Sequence, residues 1–145
     1  MEQGAGVVTA PFLTPLRRIS TPKGDVLHGL KASDPGFAGF GEVYFSQILQ
    51  GETKGWKRHF KMVLNLVCLT GRIHIVVRDM DQVLCDVQLA PEPADDYQRL
   101  TVPPGYFVAF RGVAQGPSML LNVASIPHDP AEAETVPLEH FLWTR

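Results

Sequence analysis

Turn-forming residues leave runs of only six to thirteen residues between them along most of this chain: "TPKGD" at 21–25, "DPGFAGFG" at 34–41, "QGETKG" at 50–55, "LTGR" at 69–72, "DMDQ" at 79–82, "PEPADD" at 91–96, "PPG" at 103–105 and "QGP" at 115–117. Gly, Pro and Asp interrupt regular backbone because they supply a positive φ, a fixed φ or a local side-chain hydrogen bond. Spacing this short leaves room for strands and too little for helices of three turns. The runs between the turns are "EVYFSQIL", "KMVLNLVCL", "RIHIVVRD", "QVLCDVQL", "RLTVPPGYFVAFRG" and "SMLLNVASI". They are rich in Val, Ile, Leu and aromatic residues, which suit a pleated, half-buried surface. The pattern predicts an all-β chain folded as a sandwich, jelly roll or small barrel. Only "AEAETVPLEH" at 131–140 admits a short helix, and Pro137 breaks it.

At 145 residues the chain reads as one domain, 1–145, with 1–15 as an amino-terminal arm or edge strand. Hydrophobic residues make up 45% and charged residues 19%, with a net charge of -2, and this balance argues against a protein that coats nucleic acid. Cys68 and Cys85 lie in apolar runs and read as buried small hydrophobes rather than a disulfide or metal pair. The start, "MEQGAGVVTAPFL", has an acid at position 2 and no basic or long apolar stretch, so a cytoplasmic protein without a membrane span is expected. Gly-x-Gly-x-x-Gly, Walker and Gly-x-Ser-x-Gly motifs are all missing.

"TKGWKRHFKM" at 53–62 concentrates Lys54, Lys57, Arg58, His59 and Lys61. On a strand, Lys57, His59 and Lys61 share one face while Trp56, Arg58 and Phe60 share the other. Either face can be the inner one. Inward cations have to meet an anion or water, because a closed apolar core does not tolerate them. Of the remaining histidines, His74 reads as a strand-face residue, while His28, His128 and His140 lie in turn-like or terminal segments.

The order "GEVYFSQI", "KGWKRHFKM", "LNLVCLTGRIHIVVRD", "VPPGYFVAF", "IPHDPAEAE" resembles the dTDP-4-dehydrorhamnose 3,5-epimerase family and its cupin relatives, the nucleotide-sugar 3,4-ketoisomerases, over about residues 40 to 135. Lys54-Gly55-Trp56 stands where those families have Arg-Gly-aromatic, Gly71 stands in the turn, and Pro104-Gly105-Tyr106 matches their proline-glycine-aromatic step. By this resemblance the epimerase base position holds Lys57, with His59 matching the second His of the ketoisomerase pair. The acid tyrosine position, counted back from "HDPAEAE", holds Asn122, and Val108 replaces a further His.

The resemblance implies a double-stranded β-helix of the cupin type. It also implies a cofactor-independent isomerase or epimerase of a nucleotide-linked keto-deoxysugar, most simply dTDP-linked, in polysaccharide biosynthesis. Such chemistry needs a base beside a carbonyl, a cation for the enolate and a proton donor. His59 is the best available base. Lys57 can hold the enolate or act as base itself, and Tyr44 or Tyr106 can supply the proton. Lys54, Arg58, Lys61 and Arg78 are candidate diphosphate contacts, each equally readable as a solvated strand charge, with Asn122 as a further substrate contact. No metal is expected, because Lys57, His59 and Val108 occupy the ligand positions and offer one good neutral ligand. A non-catalytic cupin binding a sugar nucleotide or partner enzyme is the alternative, and a metal-dependent cupin stands last. A homodimer is expected, with "VVTAPFL" pairing across a two-fold axis to cover a strand edge.

Overall fold

A computed structural model of the chain describes residues 9–143, and each run read as a strand contributes one or two. In chain order the strands are β1 Phe12–Pro15, β2 Arg18–Ile19, β3 Val26–Leu27, β4 Glu42–Ile48, β5 Thr53–His59, β6 Leu64–Thr70, β7 Ile73–Arg78, β8 Val83–Leu89, β9 Gln98–Val102, β10 Phe107–Gly112, β11 Ser118–Ala124 and β12 Ala133–Thr135. They form two five-stranded antiparallel sheets, ordered β1-β9-β6-β11-β4 and β12-β5-β10-β7-β8, with β2 and β3 as a separate ribbon. From β4 to β12 the chain passes from one sheet to the other at almost every connection. This is the jelly roll of a cupin.

Period-two patterning places the core between the sheets. On β11, Ser118, Leu120, Asn122 and Ala124 are buried while Met119, Leu121 and Val123 are partly exposed. Leu64, Leu66, Cys68, Leu100, Val102 and Leu120 of the first sheet pack against Ile73, Ile75, Val77, Leu89 and Val108 of the second.

A second, smaller core lies outside the second sheet. Trp56, Val76, Phe107 and Ala109 point away from the main core and are covered by Val136, Phe141 and Trp143. The segment over 131–140 is therefore not a helix. Single 3-10 turns at Pro130–Glu132 and Leu138–His140 flank β12. Pro130 starts the first turn and Pro137 precludes a longer helix, so the chain pairs β12 with β5 instead.

Residues 29–37 cover the outer face of the first sheet. Fully buried Arg99 fastens them: its guanidinium donates to Gly29 O (2.8 Å), Pro35 O (2.8 Å), Asn65 Oδ1 (3.1 Å) and Asp34 Oδ2 (3.4 Å). Among the described residues no helix is long and apolar enough to cross a membrane.

Candidate active site

Trp56 decides which way β5 faces. Its ring is fully buried on the outer side, Nε1 donates to Leu138 O at 3.0 Å, and its backbone exchanges two hydrogen bonds with Val136. Alternation then turns Gly55, Lys57 and His59 inward. Both faces of the strand are thus covered, one by the opposite sheet and one by the carboxyl-terminal segment. Gly55 is required at this point: its φ is +144°, and a Cβ would lie 2.7 Å from Ala109 Cα.

The inward face lines a cavity of about 270 Å³ between the sheets. One wall carries Lys54, Lys57 and His59 from β5, with Val108 and Phe110 from β10 and Thr135 from β12. The facing wall carries Tyr44 and Ser46 from β4, Leu64 and Leu66 from β6, and Leu120 and Asn122 from β11. Polar groups on both walls therefore face each other across an apolar floor.

His59 is 6% exposed, and its Nδ1 lies 2.6 Å from Oε1 of Glu132. The other oxygen, Oε2, accepts the backbone N–H groups of Phe60 (3.2 Å), Lys61 (3.0 Å) and Met62 (3.1 Å), which wrap around it after β5. Burial alone would raise the Glu132 carboxyl, but the His59 ring and the amides of Lys61 and Met62 outweigh it and hold the group below its ordinary value. An ionised Glu132 only accepts, so Nδ1 of His59 carries a proton, and in the neutral ring Nε2 is then the acceptor. Beside it, Lys57 is half-buried and has no hydrogen bond or ion pair among the described residues. Lys54 is exposed at the rim, its Nζ donating to Gln47 O at 2.7 Å.

Across the cavity, Asn122 is 4% exposed and directly opposite Tyr44 in the β11–β4 register. Asn122 Oδ1 accepts the backbone N–H of Asn65 at 3.0 Å, and Nδ2 donates to the Tyr44 hydroxyl oxygen at 3.0 Å.

Of the residues singled out from sequence, the cavity brings together His59, Lys57, Lys54, Tyr44 and Asn122. Four others lie elsewhere. Arg58 points outward, pairs with Glu134 and stacks on Phe107 at 4.6 Å, because its neighbours Lys57 and His59 take the inner face. Arg78 ends β7 on the same outer side, its guanidinium 4.3 Å from the Phe141 ring centre. Lys61 is exposed in the turn after β5, which stops at His59, so the parity that joined it to Lys57 and His59 does not continue. Tyr106 packs against the main core and donates to Thr9 O at 2.7 Å. The Pro-Gly-Tyr step still touches the site through its backbone, since Gly105 N–H donates to His59 O at 2.8 Å.

Sequence reasoning missed Glu132. Its signal was the acid that follows Pro130 in "HDPAEAE", but a separation of 73 residues from His59 gives no spacing to read.

No protein-family model and no curated protein sequence matches the chain. Among solved structures, a dTDP sugar isomerase from Desulfovibrio desulfuricans G20 is 32% identical, with 99% of this chain and 95% of that one covered and a TM-score of 0.81. This chain belongs to the nucleotide-sugar isomerase and epimerase family of cupins. Within that family the fold is also shared with QdtA, a sugar 3,4-ketoisomerase from Thermoanaerobacterium thermosaccharolyticum solved with TDP, at 20% identity, 92% and 93% coverage and a TM-score of 0.75. A dTDP-6-deoxy-D-glucose-3,5-epimerase from Legionella pneumophila, solved with dTDP-4-keto-L-rhamnose, matches at 11% identity, 88% and 73% coverage and a TM-score of 0.75.

Proposed function

We propose that this chain is a cofactor-independent isomerase or epimerase of a nucleotide-linked keto-deoxysugar in polysaccharide biosynthesis. The observation that carries the reading is the His59–Glu132 pair, a buried imidazole whose far nitrogen is free to accept a proton beside the unpaired ammonium of Lys57. His59 removes a proton from carbon next to the substrate carbonyl, and Glu132 steadies the imidazolium that forms. Lys57 holds the enolate oxygen, where a cation in an apolar site acts with little screening. Lys54 at the rim reaches the diphosphate. The choice of a dTDP sugar is supported by family members solved with TDP or a dTDP sugar. A cytoplasmic location and a homodimer belong to the same proposal.

The test is proton exchange. A panel of 4-keto-6-deoxy sugar nucleotides in D₂O should take up deuterium at a carbon beside the carbonyl, followed by NMR. His59→Asn should abolish uptake and leave dTDP affinity within about tenfold, because the base makes no diphosphate contact. Lys54→Ala should weaken dTDP binding by about 1 to 3 kcal/mol. Binding of dTDP without exchange by the wild type would mark the chain as a non-catalytic binder.

A further inference from the structure

We propose that the outer face of the second sheet carries a binding site for a phosphate monoanion, with Arg78 as its cation and Asp81 as the acceptor that selects it. The site stands apart from the catalytic cavity. Along β7, Ile73, Ile75 and Val77 pack into the main core, so Arg78 takes the opposite face with Val76. There it lines a groove of about 530 Å³ between the β7–β8 turn and the carboxyl-terminal segment, together with Asp81, Gln82, His140 and Phe141. Arg78 is only 8% exposed. Its Nε donates to Asp79 O at 3.0 Å and its guanidinium lies 4.3 Å from the Phe141 ring centre, which leaves Nη1 and Nη2 without a hydrogen bond or ion pair among the described residues. Solvent reaches both, since the sealed side-chain nitrogens without a partner are Nε of Arg18 and Nε of Arg58.

A cation held this deeply without an anion is costly, and an aromatic face offsets only part of that cost. The neighbouring acid does not supply the anion. Oδ1 of Asp79 accepts the backbone N–H groups of Asp81 and Gln82, each at 2.8 Å, and so closes the β7–β8 turn. With Nε committed, the two Nη groups present a fork that takes two oxygens of one oxyanion. Gln82 on one wall and the His140 ring on the other can add donors. Asp81 decides among oxyanions: an exposed carboxylate that only accepts repels a fully ionised group and welcomes one that still carries a hydroxyl. A phosphate keeps one proton near its second pKa of about 6, whereas sulfate has none to offer. Bound there, a phosphate ties the end of β7 to the segment that delivers Glu132 and Thr135 to the cavity, and holds that segment on the sheet.

Calorimetric titration of the full chain at about pH 6 and constant ionic strength compares inorganic phosphate, sulfate and glucose 1-phosphate. Phosphate should bind at least about tenfold more tightly than sulfate, and Arg78→Gln should weaken phosphate by about tenfold or more. Glucose 1-phosphate binding above inorganic phosphate makes a phosphate monoester the ligand, and binding below it makes free phosphate the ligand. Asp81→Asn changes an exposed side chain and should bring sulfate to within about threefold of phosphate, so the test stands even if Arg78→Gln does not fold. Hydrogen exchange read by peptide mass locates the anion: phosphate should protect 78–83 and 138–143 and leave 53–59 unchanged. The proposal is overturned by a wild type that binds no phosphate at about 10 mM or binds sulfate equally well, or by protection at 53–59 instead. It is overturned too by a folded Arg78→Gln that binds phosphate within about threefold of wild type, or by an Asp81→Asn that keeps the full preference over sulfate. None of these outcomes bears on the chemistry of the cavity, which deuterium exchange into the keto-sugar tests separately.

Discussion

The carboxylate of Glu132 joins His59 to three backbone amides of the turn that follows it, so one side chain fixes both the tautomer of the base and the backbone that carries it. Its carboxyl has a lower value folded than unfolded, because burial, which raises it, is outweighed by the His59 ring and the amides. A depressed carboxyl contributes its stability above the unfolded value and loses it as pH falls through the folded one. Glu132→Gln places an NH₂ against either the amides or the Nδ1–H of His59. It should cost about 1 to 3 kcal/mol at pH 7, with a gap to wild type that narrows as the pH drops below the ordinary carboxylate range. Urea unfolding at pH 7, 5 and 3 measures this. Cys68 titrates in the opposite sense. Burial pushes its thiol up to about 11, against a smaller opposing effect of the Arg72 charge. A thiol whose value is raised by folding adds stability below the unfolded value and loses it as pH climbs through the folded one, so an alkaline decline between pH 9 and 11 is expected. Native Cys68 should resist a disulfide reagent at pH 8, reacting only as fast as the chain opens. Rapid labelling of Cys68 in the folded protein, located by peptide mass, would count against this.

Two covering segments organise the strands. The carboxyl-terminal stretch lays β12 against β5 and seats Val136, Phe141 and Trp143 on Trp56 and Phe107, while delivering Glu132 to one side and Thr135 to the cavity wall on the other. The loop over 29–37 depends on Arg99, whose guanidinium is fully buried and satisfies two carbonyls together with Asn65 and Asp34. Thr101 donates to the same Asn65 oxygen at 2.6 Å. Arg99→Met keeps the length of the side chain but strands those acceptors, and should lower unfolding stability by about 2 to 4 kcal/mol. Denaturant midpoints give the figure. Susceptibility to limited proteolysis should rise first within 29–37, because the loop loses the contacts that hold it to the sheet.

At the scale of the molecule, the first sheet ends in β1 on one side and β4 on the other. The strand β1 covers β9 within the chain, while Val7 and Val8, which begin the apolar "VVTAPFL" segment, lie outside the described residues. At the other edge of that sheet, β4 turns Val43 (43% exposed) and Phe45 (59%) outward, beside Leu121 and Val123 of β11 in register. Contiguous apolar surface on a sheet edge favours association. Light scattering at micromolar concentration should give the mass of two chains, and Phe45→Lys should shift it toward one. A wild-type mass of a single chain would count against the homodimer.

Strand positions were legible because pleat alternation and turn chemistry are local, acting over two to five residues, and "RIHIVVRD" or "SMLLNVASI" can pair in few other ways. The cationic strand and its alternation were equally plain: Lys57 with His59, Trp56 with Arg58. Which of those faces looks inward was not, because the deciding partner is a carboxyl-terminal segment about eighty residues later that buries Trp56. Arg58 and Arg78 read as diphosphate contacts for the same reason, and only the sheet's orientation sends them outward onto Phe107 and Phe141. Glu132 beside His59 and Asn122 against Tyr44 are products of tertiary pairing between elements 73 and 78 residues apart, and sequence separation carries no trace of that distance in space. The chain by itself determined where it would be extended and where it would turn. The stacking of two sheets and the wrapping of one tail decided which side chains share a cavity, since burial is a property of what covers a face and not of the face alone.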